Sequence, residues 1–367
     1  MEKWKENLEL IRRAVRCEKV ERVPVTPSAD GYYARQAGIT IREYMEDGSL
    51  ACQASLREHL RMEADATQTI IASPYNLGRF WMSKVAVPGR ELADDAMWQI
   101  KEEKLMTAED YDLLKDMGWH AFQEKYLAER CNLDEEALAR FRADSAESRK
   151  KFEEAGIPSI CDFLMVTPFE SLCGARTLSA FFAEDMIGSP KRVLEATDII
   201  LQENLESYRQ QLSGGTAAGV WIGGWRTSPN LISPKAFEKF VWPSFKAYYD
   251  LCMDMDVIPI FHLDSDWTRG LEFFNRLDKK SFIVAFDGTT DIRKARQVLG
   301  PEVCIMGDVP CTMLTYGEPE EVTAYVNQLL SDIGPRGCII SSGCDIPSDA
   351  RGENVLAMSR AAHSFPV

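Results

Sequence analysis

Eight short apolar runs that alternate with helix-like segments constrain the fold of this chain more than any other feature. Each run is followed at once by polar residues, and the runs lie at residues 23–27, 67–72, 159–166, 220–222, 257–261, 282–286, 303–306 and 338–341. Alternation of this kind is typical of a parallel sheet, and eight repeats predict a closed (β/α)8 barrel, the α/β TIM barrel. A doubly wound open sheet is the alternative, but no glycine-rich dinucleotide motif follows an early run.

The remaining segments predict the helical parts of the fold. Apolar residues recur at helical spacing in residues 4–17, and residues 40–63 should also be helical. Residues 94–155 are rich in charged residues at helical spacing, which predicts a helical insertion without strands and with a solvated face. Residues 84–88 predict one additional strand, which could form half of a hairpin. We treat residues 1–367 as one barrel domain with N-terminal helices and this insertion.

The charge, the apolar stretches and the cysteines of the chain limit which partners and cellular locations we expect. The formal net charge is −15, which disfavours nucleic acid and anionic membrane surfaces as partners. No apolar stretch approaches the length of a membrane-spanning helix, and residues 1–16 lack an apolar signal-peptide core, so we expect a cytoplasmic protein. The ten cysteines are scattered without a CxxC pair and predict reduced thiols. The sequence leaves the oligomeric state open, and a homodimer is one possibility.

The polar residues after the fifth run form a dense cluster. His262, Asp264 and Asp266 follow Val257–Phe261 directly. His262 and Asp264 are two residues apart, so they point the same way on an extended backbone. The C-terminal ends of barrel strands share one face, where this cluster should meet other strand-end residues, namely Asp30, Asp287, Asp308 and Cys344.

Each of these residues also has a structural interpretation. His262 could be an inert, hydrogen-bonded residue at a strand end, and Asp266 could either replace Asp264 as a metal ligand or cap the next helix. Asp287 and Asp308 could cap strand ends or act as an acid or base. Four aromatic residues could line an apolar pocket or pack in the core: Tyr32, Tyr33, Trp225 and Trp267.

Several groups of residues, in a fixed order along the chain, resemble motifs of the uroporphyrinogen decarboxylase superfamily. They are Arg22-Val-Pro24; Leu231-Ile-Ser-Pro234 with Trp242-Pro243; Phe261-His262; Gly307-Asp308-Val309-Pro310; and Gly343-Cys344-Asp345-Ile346-Pro347 followed by residues 353–358. The superfamily contains decarboxylases of a tetrapyrrole and corrinoid-dependent methyltransferases, both on barrel folds.

The residues favour the methyltransferases over the decarboxylases. The resemblance places the decarboxylase carboxylate of the second strand at Ala72 or Ser73, and one of two loop arginines at Ile39, although Arg35 is present. A substrate with several carboxylates needs several guanidinium groups to bind it. Cys344 also replaces the histidine of a decarboxylase Gly-His-Gly motif.

Methyltransferases that methylate a thiol, such as methylcobamide:coenzyme M methyltransferases, hold zinc with a His-x-Cys pair and a distant cysteine. The resemblance places His262 and Cys344 at the first and last of these positions, with Asp264 in place of the middle cysteine. It implies a zinc site formed by these three residues. A carboxylate in place of a thiolate leaves the metal more Lewis-acidic, which suits activation of a leaving group.

The sequence therefore predicts a corrinoid-dependent methyltransferase that moves a methyl group between a small donor, such as a methoxylated aromatic, and the cobalt of a corrinoid. The chain contains no cobalamin-binding Asp-x-His-x-x-Gly loop, so a separate carrier protein should hold the corrinoid (cobalamin). Asp287 is the candidate acid, and the candidate substrate contacts are Asp30, Tyr33, Trp225 and Asp308. The alternatives are a porphyrinogen decarboxylase and a barrel that binds a corrinoid or tetrapyrrole without turnover.

Overall fold

The centre of the structure is a parallel sheet whose strands neighbour one another in chain order. The computed structural model describes residues 2–161, 163–215 and 217–367, so residue 162 of the third predicted strand lies outside the described residues. The strands in the described residues are β1 Val85–Ala86, β2 Gln99–Ile100, β3 Leu164–Met165, β4 Gly219–Gly224, β5 Ile258–Leu263, β6 Ile283–Phe286, β7 Cys304–Met306 and β8 Cys338–Ile339. Strands β3 to β8 pair in that order, each parallel to the next.

Two single bridges close this sheet into a barrel. Val25 pairs in parallel with Ile340, just beyond β8, and Thr67 pairs in parallel with Ser159, ahead of β3. The amide of Asp65 donates to the carbonyl of Val25 at 3.0 Å and joins the two segments. The eight predicted strand regions therefore form one ring, and the prediction of a (β/α)8 barrel is confirmed.

The first predicted strand, residues 23–27, is reduced to one bridge because prolines interrupt it. Pro24 and Pro27 have no amide hydrogen to donate to a ladder. The bonds that remain run from the Thr26 amide to the Ile340 carbonyl at 3.0 Å and from the Ile340 amide to the Pro24 carbonyl at 2.8 Å. These two bonds suffice to hold the segment against β8.

Helices surround the barrel on its outside. The α-helices of the described residues are α1 Glu2–Val15, α2 Gly31–Ala37, α3 Ile41–Glu46, α4 Gly48–Arg61, α5 Pro74–Phe80, α6 Asp110–Met117, α7 Trp119–Arg130, α8 Glu135–Ala155, α9 Pro168–Arg176, α10 Leu178–Ala180, α11 Pro190–Leu212, α12 Pro234–Phe240, α13 Trp242–Asp254, α14 Ile292–Leu299, α15 Cys311–Tyr316, α16 Pro319–Ile333 and α17 Gly352–Ser364. A π-helical turn (Phe181–Ile187) and a 3-10 helix (Leu271–Arg276) complete the set.

The predicted helical insertion at residues 94–155 contains helices α6, α7 and α8, but it is not free of strands. Gln99–Ile100 forms β2, which pairs antiparallel with Val85–Ala86. The prediction that this region has no strand is therefore wrong at these two residues. The reason is that a two-residue strand carries almost no periodic signal of its own and is defined by its partner. The strand predicted within residues 84–88 is present.

Residues 40–63 are helical as predicted, except for a break at Asp47. Its backbone is extended, with φ −121° and ψ 98°, so α3 ends there. Its side chain accepts hydrogen bonds from the amides of Ser49 and Leu50, which caps the start of α4.

Side-chain alternation in β5 explains why the polar cluster faces into the barrel. Ile258 and Ile260 belong to the small apolar cluster inside the barrel, whereas Phe261 packs with the helices outside. Residues of the same parity share a face, so His262 continues the inward row beyond Ile260. Ile11 of α1 packs against the same inner cluster and covers the opposite end.

Within residues 2–161, 163–215 and 217–367, every α-helix is too short or too polar to span a lipid bilayer. No disulfide joins any of the ten cysteines, all of which lie in the described part of the chain.

Candidate metal centre and aromatic cavity

Three potential metal ligands meet at the C-terminal end of the barrel strands. Nε2 of His262 lies 3.2 Å from Oδ1 of Asp264. One donor atom from each of His262, Asp264 and Cys344 lies within 4.8 Å of the other two. His262 belongs to β5, Asp264 follows it, and Cys344 lies in the loop after β8. Strands that are not neighbours thus supply one cluster, because their ends face the same opening.

The neighbours of His262 leave room for its ring inside the barrel. It is in register with Gly223 of β4 and Ala285 of β6, the two smallest residue types. A Cβ atom at Gly223 would lie 2.3 Å from the ring of Trp221, so glycine is required there. The ring of Trp221 packs against the imidazole with centroids 5.4 Å apart. Packing, not only sequence spacing, therefore fixes the orientation of His262.

The electrostatics of the cluster favour a positive charge. Burial lowers the pKa of His262, but the Asp264 carboxylate and the Cys344 thiol outweigh burial and raise that pKa to about 10. The Nδ1 atom of His262 is buried and has no hydrogen-bond partner among the described residues. Buried polar atoms are rarely left unpaired, so Nδ1 is an exception, and Nε2 is the ring nitrogen that faces Asp264.

Two further carboxylates, those of Asp30 and Asp345, border this cluster. Asp30 is 8% exposed, and its Oδ1 atom has no partner among the described residues. Burial and the neighbouring Asp345 raise the pKa of Asp30 well above its usual range. The hydroxyl of Ser28 donates to Asp345 at 2.5 Å. Asp345 was not among the predicted site residues, although its place directly after Cys344 was a signal that could have found it.

The cluster forms the floor of a cavity of about 600 Å³. Its walls include five aromatic side chains: Trp81, Trp98, Phe141, Trp221 and Trp225. Asp30, His262, Asp264 and Cys344 line the same cavity. Sequence reasoning found only Trp225 among the aromatic residues. Trp98 and Phe141 lie in the insertion, where charge suggested a solvated surface, so no local pattern indicated their position in the wall.

Trp225 forms one side of this cavity. Its ring is 37% exposed and makes an edge contact with Trp81, with ring centroids 4.8 Å apart. The guanidinium of Arg226 lies 5.0 Å from the centre of the Trp225 ring. The exposed part of the ring faces the open space and is accessible to a bound molecule.

Two predicted substrate contacts, Tyr33 and Asp308, lie outside this cavity. Tyr33 is fully buried in the core, and its hydroxyl lies 3.5 Å from Nε2 of His59, so it lines no part of the cavity. Asp308 is also buried outside the cavity wall and accepts a 2.7 Å hydrogen bond from the hydroxyl of Tyr325. Burial raises the pKa of Asp308 to about 6. Neither Tyr33 nor Asp308 is therefore part of the proposed substrate site.

The carboxylate of Asp287, the predicted acid, accepts hydrogen bonds from its own loop and from the loop after β5. It accepts hydrogen bonds from the Ser265 amide at 2.7 Å and from the amide and hydroxyl of Thr289 at 2.7 and 3.0 Å. Asp287 does not line the cavity. Asp266 accepts a bond from the Thr268 amide at 2.9 Å, which is a turn and not a helix cap, because the next helix begins at Leu271 with Gly270 as its N-cap. Both residues organise the chain after β5 and β6, because their oxygens face backbone amides.

Comparison with known proteins identifies the family of this chain. Residues 166–365 match the family described as uroporphyrinogen decarboxylase (URO-D). The match covers more than half of the chain, which therefore belongs to this family, as its motifs indicated.

Some of the curated relatives are named as methyltransferases and others as decarboxylases. Methylcobamide:CoM methyltransferase MtbA of Methanosarcina mazei is 27% identical over 138 residues, which are 38% of this chain and 39% of that protein. Uroporphyrinogen decarboxylase of Pongo abelii is 34% identical over 175 residues, 45% of each protein. The matched regions span less than half of either relative. A solved structure of a methyltransferase from Methanosarcina mazei has a TM-score of 0.73 at 16% identity and covers 97% of this chain and 98% of that one, which shows a shared fold.

Proposed function

We propose that this protein is a corrinoid-dependent methyltransferase that moves a methyl group between a small donor and the cobalt of a corrinoid on a partner protein. The observation that carries the proposal is the meeting of His262, Asp264 and Cys344 on the floor of an aromatic cavity. A methoxylated aromatic is the donor class that fits the walls, because a planar ring can stack on tryptophan.

The three side chains fit a zinc ion. Donor atoms of a tetrahedral zinc site are about 3.3–3.8 Å apart, given bond lengths of about 2.0–2.3 Å. The 3.2 Å between His262 and Asp264 is close to that range, and the group as a whole lies within 4.8 Å. Imidazole, carboxylate and thiolate are all common zinc ligands, and three protein ligands leave a fourth position for substrate.

The roles of the side chains follow from their positions. When bound, zinc would supply Lewis acidity at the leaving oxygen of the donor. Asp264 contributes a negative charge without the electron donation of a thiolate. Trp221 and Trp225 lie at the cavity wall and hold an aromatic ring over the three ligands. The corrinoid must approach through the open mouth of the barrel, since the methyl carbon has to meet the cobalt in line.

The cavity is less suited to a porphyrinogen with many carboxylates. Ala72 and Ser73 line it where the resemblance places the decarboxylase carboxylate. Arg142 and Arg149 of α8 also line it, but the walls are mainly apolar and aromatic. Each carboxylate of such a substrate would need a guanidinium or similar partner to offset its desolvation. The decarboxylase alternative therefore has the weaker support.

A transfer assay tests the proposal. The zinc-loaded full-length protein is incubated with reduced cob(I)alamin and a series of methoxylated benzenes, and the absorbance of methylcobalamin is followed. We expect its formation to depend on zinc and to need a corrinoid, with a corrinoid carrier protein raising the rate. Conversion of uroporphyrinogen by the same preparation, or donor demethylation without any corrinoid, would instead contradict the proposal.

We expect Asp287 to act on the metal site through the loop after β5 and not through the reaction itself. Asp287→Ala removes the acceptor for the Ser265 amide, next to Asp264, and should weaken zinc binding by about 10-fold. The free energy of unfolding should fall by about 1–3 kcal/mol because the Ser265 and Thr289 donors lose a charged partner. Zinc titration and urea unfolding measure the two effects.

Asp291→Ala is the matched control for this variant. Asp291 also accepts bonds from two backbone amides, those of Arg293 and Lys294, but it caps α14. This control should lose stability without losing zinc affinity. Normal zinc affinity together with abolished transfer in Asp287→Ala would restore Asp287 as the catalytic acid.

A further inference from the structure

We infer that Glu170 is a positioning residue that fixes the loop at residues 225–227 and thereby holds the ring of Trp225 in the cavity wall. Glu170 is the third residue of α9 and is 1% exposed. Its Oε1 atom accepts hydrogen bonds from the Trp225 amide at 2.9 Å and from the amide and hydroxyl of Thr227 at 3.1 and 3.2 Å. One carboxylate oxygen therefore binds both ends of the loop that carries the tryptophan.

Arg226 holds the other side of this loop. It is 7% exposed, its guanidinium lies 5.0 Å from the Trp225 ring, and Nη2 donates to Glu102 at 2.8 Å. Glu102 in turn accepts a 2.6 Å bond from the Leu178 amide at the start of α10. The loop after β4 is thus tied to α9 on one side and to the insertion on the other.

Burying the Glu170 carboxylate costs free energy, and its hydrogen bonds to the loop at residues 225–227 offset this cost. Burial raises its pKa to about 7, against the opposing effect of Arg226. Its Oε2 atom and Nη1 of Arg226 are buried without partners among the described residues. Unpaired buried atoms of charged groups destabilise a protein by a few kcal/mol. Glu170 does not line the cavity, so contact with a substrate does not explain it, whereas the three bonds to the loop do.

The orientation of Trp225 depends on this loop because its ring has few other supports. The ring is partly exposed and touches Trp81 at an edge, and Arg226 is the cation beside it. The consequence for an aromatic donor rests on the proposed function; the positioning of the ring does not. Loss of Glu170 should therefore weaken donor binding and leave the chemical step nearly unchanged.

Fluorine NMR of protein labelled with 5-fluorotryptophan tests the positioning. The chain has eight tryptophans, and Trp225→Phe identifies the resonance of Trp225. In Glu170→Ala this resonance should shift and change in width, with the Trp81 resonance following to a smaller extent. Glu170→Gln keeps an acceptor oxygen at the same reach and should restore the wild-type spectrum. If Glu170→Ala does not fold, Glu170→Asp keeps the charge but is too short to reach the loop and should show the same change.

Glu203→Ala is the matched control. Glu203 also accepts bonds from two backbone amides, those of Trp119 and His120 at 2.8 and 2.9 Å, but it lines no part of the cavity. Its loss should leave the Trp225 resonance in place. A Trp225 resonance that is identical in wild type, Glu170→Ala and Glu170→Asp would overturn the inference, whatever the protein catalyses.

A double-mutant cycle tests the consequence for the donor. With the best methoxylated benzene of the transfer assay, Glu170→Ala should raise KM by about 10-fold and change kcat by less than about threefold. In a Trp225→Ala background the same change should have almost no further effect, because the residue through which Glu170 acts is gone. Additive effects would overturn the link between Glu170 and Trp225. Absence of transfer in the wild type itself would overturn the proposed function and leave the NMR result standing.

Discussion

Replacing His262 with alanine is expected to remove bound zinc and methyl transfer together. The imidazole is one of three protein donors, and loss of a residue that only supports a metal ligand already lowers affinity or activity by about 10- to 100-fold. We therefore expect a decrease of at least about 100-fold in zinc affinity and in transfer rate. Cys344→Ser should act in the same direction, because a hydroxyl is a much poorer zinc ligand than a thiolate.

The stability of His262→Ala should stay close to that of the wild type. The side chain lies at the mouth, beyond the apolar interior formed by residues such as Ile260 and Ile283. His120→Ala, an exposed histidine on α7 outside the cavity, is the control and should change neither zinc content nor rate. Metal analysis and thermal unfolding measure these outcomes. If wild type and both site variants hold equally little zinc while the wild type still transfers methyl groups, the metal proposal is wrong.

Replacing Asp264 with cysteine is expected to keep zinc and to lower transfer from a methyl ether by about 10- to 100-fold. The new side chain is a strong zinc ligand, so the metal content should remain near that of the wild type. A thiolate donates more electron density to the bound ion than a carboxylate, which lowers its Lewis acidity toward an ether oxygen. The same substitution should favour the opposite transfer, in which the methyl group moves from methylcobalamin to a thiol.

Two measurements separate these effects. Zinc content and the rate of methylcobalamin formation are compared for wild type, Asp264→Cys and Asp264→Ala, and the alanine variant should lose zinc. Methylation of a small thiol by methylcobalamin is then measured for the cysteine variant. An unchanged rate of ether demethylation in Asp264→Cys would show that the carboxylate has no special part in the choice of donor.

The barrel and its cluster of three potential metal ligands could be predicted from the sequence because both depend on short-range patterns. Apolar runs define the strands, and the rule that parallel strands end on one face places His262 and Cys344 together although they are 82 positions apart. The two-residue spacing of His262 and Asp264 is local geometry. The URO-D family motifs are likewise short and contiguous, and the match over residues 166–365 agrees with them.

The roles of strand-end acids were harder to assign. Asp30, Asp287 and Asp308 all follow strands, yet only Asp30 lines the cavity. The Asp287 carboxylate accepts a hydrogen bond from the Ser265 amide of a neighbouring loop, and the Asp308 carboxylate accepts one from the Tyr325 hydroxyl. A carboxylate at a strand end can meet substrate, solvent or a neighbouring loop, and its own sequence position does not distinguish them.

The order of the strand regions, the shared direction of His262 and Asp264, and the residue types at the barrel mouth were predictable, since these depend on periodicity and chain direction. What surrounds these residues depends on tertiary packing. The insertion brings Trp98 and Phe141 into the cavity wall, and Glu170 reaches the loop of Trp225 across 55 positions. Such contacts join segments with no common pattern, because packing of whole elements, and not local spacing, brings them together.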